Sequence, residues 1–438
     1  MKKISLTIVF ITLLVAMVYA ASPKAPHLDI SVDGLNVSLI WNNISTALGY
    51  HLYYAPYPQA DPIGSTDMKS QQGVSATLPL NSAFYVAVKA YNSEGYSNYS
   101  NIEHFVLNEQ GNSSNPNVPA NANKYKEGKM LIVISAPSIN DPYYKDNFQK
   151  IVDFDIQFAK SIIGKDNVVV LVDKETLPYF KDKLPKDVLL EAYVNDIWIR
   201  DFSTVHPSKM VKFVYDRPET PSIARSFRTF TNENELQLKE SNLKIDGGNV
   251  VDNNNGKLIL TDKIMERNPW LTTRSQVISK LKQELGATDV AIIPMDEEYL
   301  GHSDGMVMFA DENTVIMNNY KGDPSFKNSV LSTLRKGLPQ TKIVEIEGTG
   351  YGEEYGSYAS ACGIYVNSVV TYNYIYMPVF GKAAEDNAAM QTIQSNTDKT
   401  VVTVNAKDVC FLGGNTRCLS WQITGDNARK IIEAARLY

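Results

Sequence analysis

The pattern of hydrophobic and polar residues divides the chain into two parts of different character. Between residue 25 and about residue 107, short apolar runs such as 50–54 and 84–91 are separated by turns rich in Gly, Pro, Asn and Asp. Runs of this length with frequent turn signals predict β-strands in a small antiparallel sandwich. We therefore predict an all-β domain over residues 21–107.

The second part, residues 125–438, alternates strand and helix patterns. Residues 130–134 and 168–172 are continuous apolar runs typical of buried strands, and apolar residues at helical spacing lie between them. Farther on, the order strand, strand, helix, strand recurs about every 55 residues, which favours a closed, pseudo-symmetric α/β propeller over an open sheet. Each ββαβ unit is then one blade.

The last of these units bears on how the domain closes. The last unit runs from residue 411 through 421, with a Gly-Gly-Asn turn just before Cys418 and a strand-like run opening at it, to a helix at 427–437, and no closing strand follows. Residues 130–134 can supply that strand, which would join the two ends of the domain. In the preceding unit, residues 364–371 are predicted to form the first strand.

The first twenty residues have the pattern of a targeting segment. Two lysines precede an apolar run from Ile4 to Val15, and Val18 and Ala20 suit the −3 and −1 positions of a cleavage site. This arrangement predicts a secretory signal peptide, residues 1–20, and a secreted, extracellular protein. The Asn-rich segment 108–124 lacks periodicity and is predicted to be a linker between the two domains.

Composition and charge exclude several classes of function. The net charge of −6 argues against a nucleic-acid partner, and a hydrophobic content of 44% is ordinary for a globular protein. No zinc-finger, CxxC or HExxH spacing occurs, so neither a metal nor another cofactor is expected. Three cysteines leave at least one unpaired within the chain, and Cys362 can pair with Cys410 or with Cys418.

The first domain resembles a fibronectin type III module. Trp41 lies in an early strand, as in that family, and Phe84 stands where the family has a tyrosine. The family's Tyr-x-Val-x-Val-x-Ala-x-Asn-x-x-Gly motif is otherwise matched by Val86, Val88, Ala90, Asn92 and Gly95. Such modules act as spacers or docking surfaces, so the resemblance implies a module that docks to a surface or a protein. Four Asn-x-Ser/Thr sequons are candidate glycosylation sites: Asn36, Asn43, Asn98 and Asn112.

Four short motifs, each beside a predicted turn, carry the candidate chemistry. They are Trp-Ile-Arg-Asp at 198–201, Asp-Gly-Gly-Asn at 246–249, Gly-His-Ser-Asp at 301–304 and Gly-Gly-Asn-x-x-Cys at 413–418. Together they supply carboxylates, a histidine and a thiol. In a closed propeller, loops from several repeats meet at a central cavity, so motifs far apart in sequence can build one site.

The order of these motifs resembles that of the guanidine-modifying superfamily, and more closely the agmatine deiminase and Porphyromonas-type peptidylarginine deiminase family. Tyr-Val-Asn at 365–367 and Pro-x-Phe-Gly at 378–381 resemble two further motifs of that family. The resemblance covers roughly residues 128–438 and implies the five-bladed α/β propeller called the pentein fold. The loop after Asp201 departs from the family's Gly-Pro turn, which leaves the substrate class open.

The resemblance also implies a role for each candidate catalytic residue. Asp201 and Asp304 would bind the N–H edges of a guanidinium, since carboxylates pair with it in bidentate geometry. Cys418 would attack the central carbon and form a covalent thiouronium. His302 would protonate the departing ammonia and then activate water. One residue separates His302 from Asp304, so on a strand both side chains would face the same side.

Five further residues are candidates for binding or supporting the substrate: Asp246, Asn249, Asn367, Trp198 and Gly414. Asp246 lies where related deiminases place an acid that orients the histidine, and it is equally well interpreted as a turn residue. Asn367 either contacts the substrate or shapes the cavity.

The leading hypothesis is a secreted, cysteine-dependent deiminase that converts peptidyl-arginine to citrulline and ammonia, because secretion and an appended module favour a macromolecular substrate. Agmatine deiminase is the alternative with the same chemistry, and transfer of the amidino group to an amine is a third. The alternative of another class is a catalytically inactive pentein that binds a surface. That alternative predicts a blocked cavity or a Cys418 held in a disulfide.

Overall fold

The structure is a computed structural model that describes residues 22–437 except 34, 58–60, 108–127, 217–220 and 349. The predicted signal peptide, residues 1–20, and the predicted linker, residues 108–124, lie outside the described residues. By its internal contacts the chain divides into two compact units, Met1–Asn115 and Pro116–Tyr438. No helix in the described part of the chain combines the length and the apolar character needed to cross a membrane.

The described residues of the first unit form only β-strands, in two antiparallel sheets. One sheet has the order β1-β2-β5, and the other has the order β4-β3-β6-β7 with β8 also paired to β6. The sheets share a core that contains Trp41 and Val88. Membership of the fibronectin type III family stays a prediction. The strands are β1 (Leu28–Asp33), β2 (Asn36–Trp41), β3 (Gly49–Pro56), β4 (Gly64–Lys69), β5 (Gly73–Thr77), β6 (Ala83–Asn92), β7 (Gly95–Tyr96) and β8 (Glu103–Val106).

The second unit has the alternation of strands and helices that the sequence predicts. Its strands are β9 (Leu131–Ser135), β10 (Asn167–Val172), β11 (Leu189–Glu191), β12 (Val211–Val214), β13 (Lys239–Lys244), β14 (Val251–Asp252), β15 (Lys257–Thr261), β16 (Asp289–Ile293), β17 (Val307–Asp311), β18 (Thr314–Asn318), β19 (Lys342–Ile346), β20 (Val369–Val370), β21 (Tyr374–Val379), β22 (Thr400–Asn405) and β23 (Ser420–Ile423). Its α-helices are α1 (Phe148–Ile162), α2 (Ile199–Phe202), α3 (Pro221–Glu233), α4 (Lys263–Arg267), α5 (Arg274–Leu285), α6 (Pro324–Gly337), α7 (Ala383–Gln394) and α8 (Gly425–Leu437).

Strand pairing in the second unit follows the predicted repeat. In its described residues the strands form five sheets, and in three of them an antiparallel pair is followed by a strand that runs parallel after a helix. A helical crossover is the usual way to join parallel neighbours. Five is the number of blades that the predicted propeller requires. The closure of these sheets into a propeller is not tested by strand pairing and stays a prediction.

The two ends of the second unit meet in one sheet with the order β11-β10-β9-β23. β23 pairs antiparallel with β9, with Ser420 opposite Ile134 and Ile423 opposite Leu131. The prediction that residues 130–134 complete the last unit is therefore confirmed. All residues of β9 and β10 are buried, which explains why both read as continuous apolar runs instead of alternating ones.

Helix ends agree with local signals in the sequence. α5 begins with a capping box in which Thr273 and Gln276 satisfy each other's backbone N–H groups. It ends at Gly286, whose φ of 68° lies in the left-handed region that glycine adopts without strain. α7 spans the predicted residues 383–394.

The predicted strand at residues 364–371 is wrong over most of its length, and the turn predicted before Cys418 is longer than expected. Residues 364–368 form turns and only Val369–Val370 is a strand, while residues 411–419 form a short 3-10 turn and a second turn before β23. Gly413 has a φ of 104°, which is incompatible with a strand. His302 and Asp304 also lie at a 3-10 turn, Ser303–Gly305, and not on a strand. These turns hold the candidate catalytic residues.

Candidate active site

Four backbone turns bring the sequence motifs together. Asp201 lies on the short helix α2, Asn249 ends the 3-10 turn Gly247–Asn249, and Asp304 lies in the turn Ser303–Gly305. The N–H of Arg200 donates to the carbonyl oxygen of Cys418 at 3.4 Å, which ties α2 to the fourth turn. Hydrogen bonding between the turns thus replaces a continuous strand as the support of the site.

Cys418 is a buried free thiol in the turn that precedes β23. The described residues include all three cysteines, and Cys362 pairs with Cys410 in a disulfide. The Sγ atom of Cys418 lies 3.6 Å from Oδ2 of Asp304, and Asn367 donates its Nδ2–H to the same sulfur at 3.2 Å. The expectation of a disulfide-locked Cys418, which the inactive alternative makes, is therefore wrong.

The surroundings of Cys418 disfavour a thiolate before substrate binds. Burial raises the pKa of the Cys418 thiol well above its usual range, and the carboxylates of Asp304 and Asp201 raise it further. The hydrogen bonds from Asn367 and from the backbone of Asn415 act in the opposite direction. A positive charge brought between the carboxylates and the thiol would favour ionisation.

His302 lies between two carboxylates. Its Nε2 is 3.3 Å from Oδ2 of Asp246, and its Nδ1 is 3.7 Å from Oδ1 of Asp201. Burial lowers the pKa of His302, but Asp201 and Asp246 outweigh this effect and raise the pKa to about 9. The imidazole is therefore protonated at neutral pH and can act as an acid.

The two carboxylates around His302 are themselves held in place. Asp246 accepts a hydrogen bond from Nη1 of Arg267 at 3.3 Å. Asp201 accepts one from the N–H of Gly248 at 2.9 Å. A Cβ atom at Gly248 would lie 2.5 Å from Nδ1 of His302, so only glycine allows this approach. The Asp-Gly-Gly motif thus positions both acids and the histidine.

The remaining candidates support the site in different ways. Asn249 accepts from the N–H groups of Thr261 and Ser303 and so ties two turns together instead of lining a cavity. Asn367 accepts from the N–H of Cys418 at 3.4 Å. Trp198 packs against Gly414, where a Cβ atom would lie 2.8 Å from Cβ of Cys418 and would overlap the indole ring.

Two cavities reach the thiol. The first has a volume of about 440 Å³ and is lined by Asp201, Trp198, His302 and Cys418 among others. The second, of about 230 Å³, is lined by Asp304, Asn367, His302 and Cys418 among others. Tyr299 and Tyr358 line both cavities, and their rings contact edge to face at 5.2 Å between centroids. The cavity is therefore not blocked, contrary to the expectation from the inactive alternative.

The sequence motifs did not reveal several residues of the site. Asp196 lines the first cavity, accepts a hydrogen bond from the hydroxyl of Tyr144 at 2.7 Å, and has its pKa raised by burial to about 6. Its position in the same loop as Trp198 and Asp201 was the available signal. Arg417 forms a buried ion pair with Asp304. Nothing in the sequence indicated that pair.

The arrangement suits covalent chemistry on a planar cation. A thiol and a protonated imidazole line both cavities, and one of the two candidate carboxylates lines each of them, a set that can orient and neutralise a guanidinium. No group of three or more His, Cys, Asp or Glu side chains within the described ranges is arranged to hold a metal ion.

Comparison with known proteins gives a consistent result. The model of the family described as Porphyromonas-type peptidyl-arginine deiminase matches residues 125–424. A Shewanella baltica protein whose name includes the words agmatine deiminase is 26% identical over 340 residues, which cover 64% of this chain and 89% of that protein. A similarly named Mycoplasma mycoides protein is 22% identical over 318 residues, covering 61% and 85%.

Solved structures show the same fold. A C. jejuni agmatine deiminase variant, in which a serine replaces a cysteine and substrate is bound, matches with a TM-score of 0.58 at 17% identity, over 69% of this chain and 95% of that one. The Enterococcus faecalis agmatine deiminase matches with a TM-score of 0.54 at 18% identity, over 69% and 95%. The second unit therefore has the mixed α/β fold of these proteins.

Proposed function

Because this chain belongs to the Porphyromonas-type peptidyl-arginine deiminase family, and is therefore a guanidine-modifying hydrolase, we propose that it deiminates a small cationic alkylguanidine. Agmatine is the leading candidate, and the products would be N-carbamoylputrescine and ammonia. The named relatives and the fold neighbours favour agmatine over the peptidyl-arginine substrate of our leading sequence hypothesis.

The charge of the first cavity is the observation that carries this proposal. Asp141, Asp196 and Asp201 line it, and none of its described lining residues is a lysine or an arginine. Agmatine has an ammonium at the end opposite its guanidinium, whereas free arginine also bears a carboxylate there. The acidic side chains of this cavity attract the ammonium of agmatine and repel the carboxylate of free arginine.

We infer the following order of events at the thiol. The guanidinium binds between Asp201 and Asp304, its positive charge stabilises the thiolate of Cys418, and the thiol proton leaves to solvent. The sulfur then bonds to the central carbon, and the C=N electron pair moves onto nitrogen. Collapse of this adduct breaks a C–N bond, and the protonated His302 gives its proton to the departing amine, which leaves as ammonia.

The second half-reaction returns the enzyme to its starting state. Neutral His302 takes a proton from water as the water oxygen attacks the carbon of the thiouronium. As the C–S bond breaks, Cys418 leaves as a thiolate, the hydroxyl of the adduct loses its proton to give the ureido product, and the thiolate regains a proton from solvent. Asn367 donates to the sulfur and supports the thiolate at both stages.

Peptidyl-arginine is the second candidate substrate, favoured by the description of the matching family. We also propose that residues 1–20 direct secretion. The disulfide between Cys362 and Cys410 supports an oxidising compartment, where such bonds persist. For the fold, we infer a closed five-bladed propeller, because turns that follow several different sheets converge on one cavity.

The test is release of ammonia and ureido product from agmatine, free arginine and an arginine peptide blocked at both ends. We expect turnover of agmatine that is abolished by Cys418→Ala. Asp196→Asn should lower kcat/KM for agmatine by about 10-fold, as loss of one charge-assisted contact costs about 1.5 kcal/mol. Asp182→Asn, an exposed aspartate outside the cavity, is the matched control and should leave turnover unchanged.

Two outcomes would change the assignment. Turnover of the peptide alone would favour the second candidate. Turnover of free arginine in preference to agmatine would mean that a carboxylate-bearing substrate replaces agmatine. Wild-type inactivity toward all three compounds would contradict the proposal.

A further inference from the structure

We propose that Arg417 is a positioning residue that occupies one oxygen of Asp304 from inside the protein, so that the substrate guanidinium meets only the other oxygen. The effect on substrate orientation rests on the proposed function. The geometry of Arg417 and Asp304 stands independently of the substrate's identity.

The contacts of Arg417 show how the carboxylate is held. Its Nη1 donates to Oδ2 of Asp304 at 2.8 Å, and its Nη2 donates to the carbonyl oxygen of Val250 at 2.6 Å. The side chains of Arg417 and Asp304 are 8% and 1% exposed, so water does not screen the pair. Arg417 therefore bridges the acid to the backbone of a different loop.

The pairing divides the two oxygens of Asp304 between two tasks. Oδ2 serves Arg417 and lies 3.6 Å from Sγ of Cys418. Within the described part of the chain, Oδ1 has no hydrogen-bond partner, and Asp304 lines the second cavity. A guanidinium in the site would therefore contact Asp304 through one oxygen, with its central carbon placed by the orientation that Arg417 imposes.

An arginine suits this task better than a lysine. Its planar fork donates to the carboxylate and to the carbonyl in fixed directions, whereas an ammonium is a single flexible point charge. Arg200 lies behind it and donates from Nε to the carbonyl oxygen of Arg417 at 3.4 Å. Because Arg417 immediately precedes Cys418, the same turn carries the nucleophile and the group that aligns its acid.

Steady-state kinetics give the first test. We expect Arg417→Gln to reduce kcat about 100-fold, because a displacement of about 1 Å at the reacting carbon costs that much, and to change KM less than about threefold. Arg417→Lys keeps the charge and should recover at least about 10-fold of the loss. Arg429→Gln removes a half-exposed arginine outside the site and is the matched control.

Alkylation of Cys418 gives a second test that needs no substrate. The charged groups that act on the sulfur or line a cavity with it are Asp304, Asp201, Arg200 and His302, and Arg417 is paired with Asp304. Arg417→Gln leaves the charge of Asp304 unpaired beside the sulfur, so the pH midpoint for alkylation by neutral iodoacetamide should rise. In an Asp304→Asn background, the same substitution should shift the midpoint little, because coupling between the two residues is then absent.

Several results would overturn the inference. Equal effects of Arg417→Gln with and without Asp304→Asn would show that Arg417 acts independently of Asp304. If Arg417→Gln had the kcat and KM of the wild type, Arg417 would have no positioning role. If thermal unfolding shows that Arg417→Gln is not folded, the Arg417→Lys variant is tested instead. An unchanged kcat and an unchanged alkylation midpoint in Arg417→Lys would contradict the role of the planar guanidinium. If the wild type turns over no guanidine, the proposed function fails. The alkylation experiment then still tests whether Arg417 positions Asp304.

Discussion

The placement of His302 between Asp201 and Asp246 decides its charge. With its pKa raised to about 9, the imidazole binds a proton in the folded protein that the unfolded chain releases near pH 6.5. The stabilisation that results is complete below pH 6.5 and is lost as the pH rises through 9. The group that we propose as the catalytic acid therefore also contributes to stability at neutral pH.

This coupling predicts a pH dependence that His302→Gln should remove. Between pH 6.5 and 9, the wild-type free energy of unfolding should fall by up to about 3 kcal/mol relative to the variant, since one pKa unit corresponds to about 1.4 kcal/mol. Urea denaturation of both proteins at a series of pH values measures the difference, in which titrations common to both cancel. Parallel curves over this range would contradict the raised pKa.

At the same scale, the sequence predicted residues that stand in short motifs and missed those that act through distant pairing. Cys418, His302 and Asp304 lie around one space, as their motifs indicated. The role of Arg417 was not predicted because its partner is 113 positions away and because a lone arginine has no local pattern. Asp196 escaped because its role depends on which side of the loop faces the cavity.

Among the elements, the segment from Tyr351 to Cys362 connects the cavity wall to the rest of the fold. It carries Tyr358, which lines both cavities. The hydroxyl of Tyr355 donates to the carbonyl oxygen of Tyr143 at 2.8 Å, and the two rings contact edge to face. At its end, Cys362 is bonded to Cys410, eight residues before the nucleophile. The disulfide thus links this wall to the turn that carries the thiol.

Replacing both disulfide cysteines should weaken substrate binding more than the chemical step. We expect Cys362→Ala/Cys410→Ala to raise KM several-fold with a smaller change in kcat, because the wall gains freedom while Cys418 and its partners stay in place. The free energy of unfolding should fall by about 2–4 kcal/mol, given a sequence separation of 48 residues. Steady-state kinetics and urea denaturation measure the two effects, and an unchanged KM would contradict the link.

Periodicity correctly predicted helices and buried strands, whereas the wrong strand prediction lies at the candidate site. Residues 364–371 have an apolar run suited to a strand, but the N–H groups of Asn415 and Cys418 donate to the side-chain oxygen of Asn367, and the side-chain amide of Asn415 donates to the carbonyl oxygen of Ile364. Side-chain amides that hold turns compete with strand pairing. A pattern of apolar residues carries no information about that competition.

For the whole molecule, every residue of the candidate site lies in the second unit. Its first and last described strands pair with each other, so the two ends of that unit are joined within it. A chain of residues 125–438 should therefore retain kcat/KM for agmatine within about threefold of the full protein. Circular dichroism would check its folding, and a folded fragment without activity would show that the first unit contributes to the reaction.

The pairing of β9 with β23 has a consequence for the order in which the protein is made. β9 is the first described strand of its unit to be synthesised. The edge of β9 that pairs with β23 has no partner until residue 423 has been made. Cys418 arrives together with this last strand, after Asp201, His302 and Asp304. No nascent chain that ends before Cys418 holds the thiol among its carboxylates, so the protein cannot modify a guanidine before that residue has been synthesised.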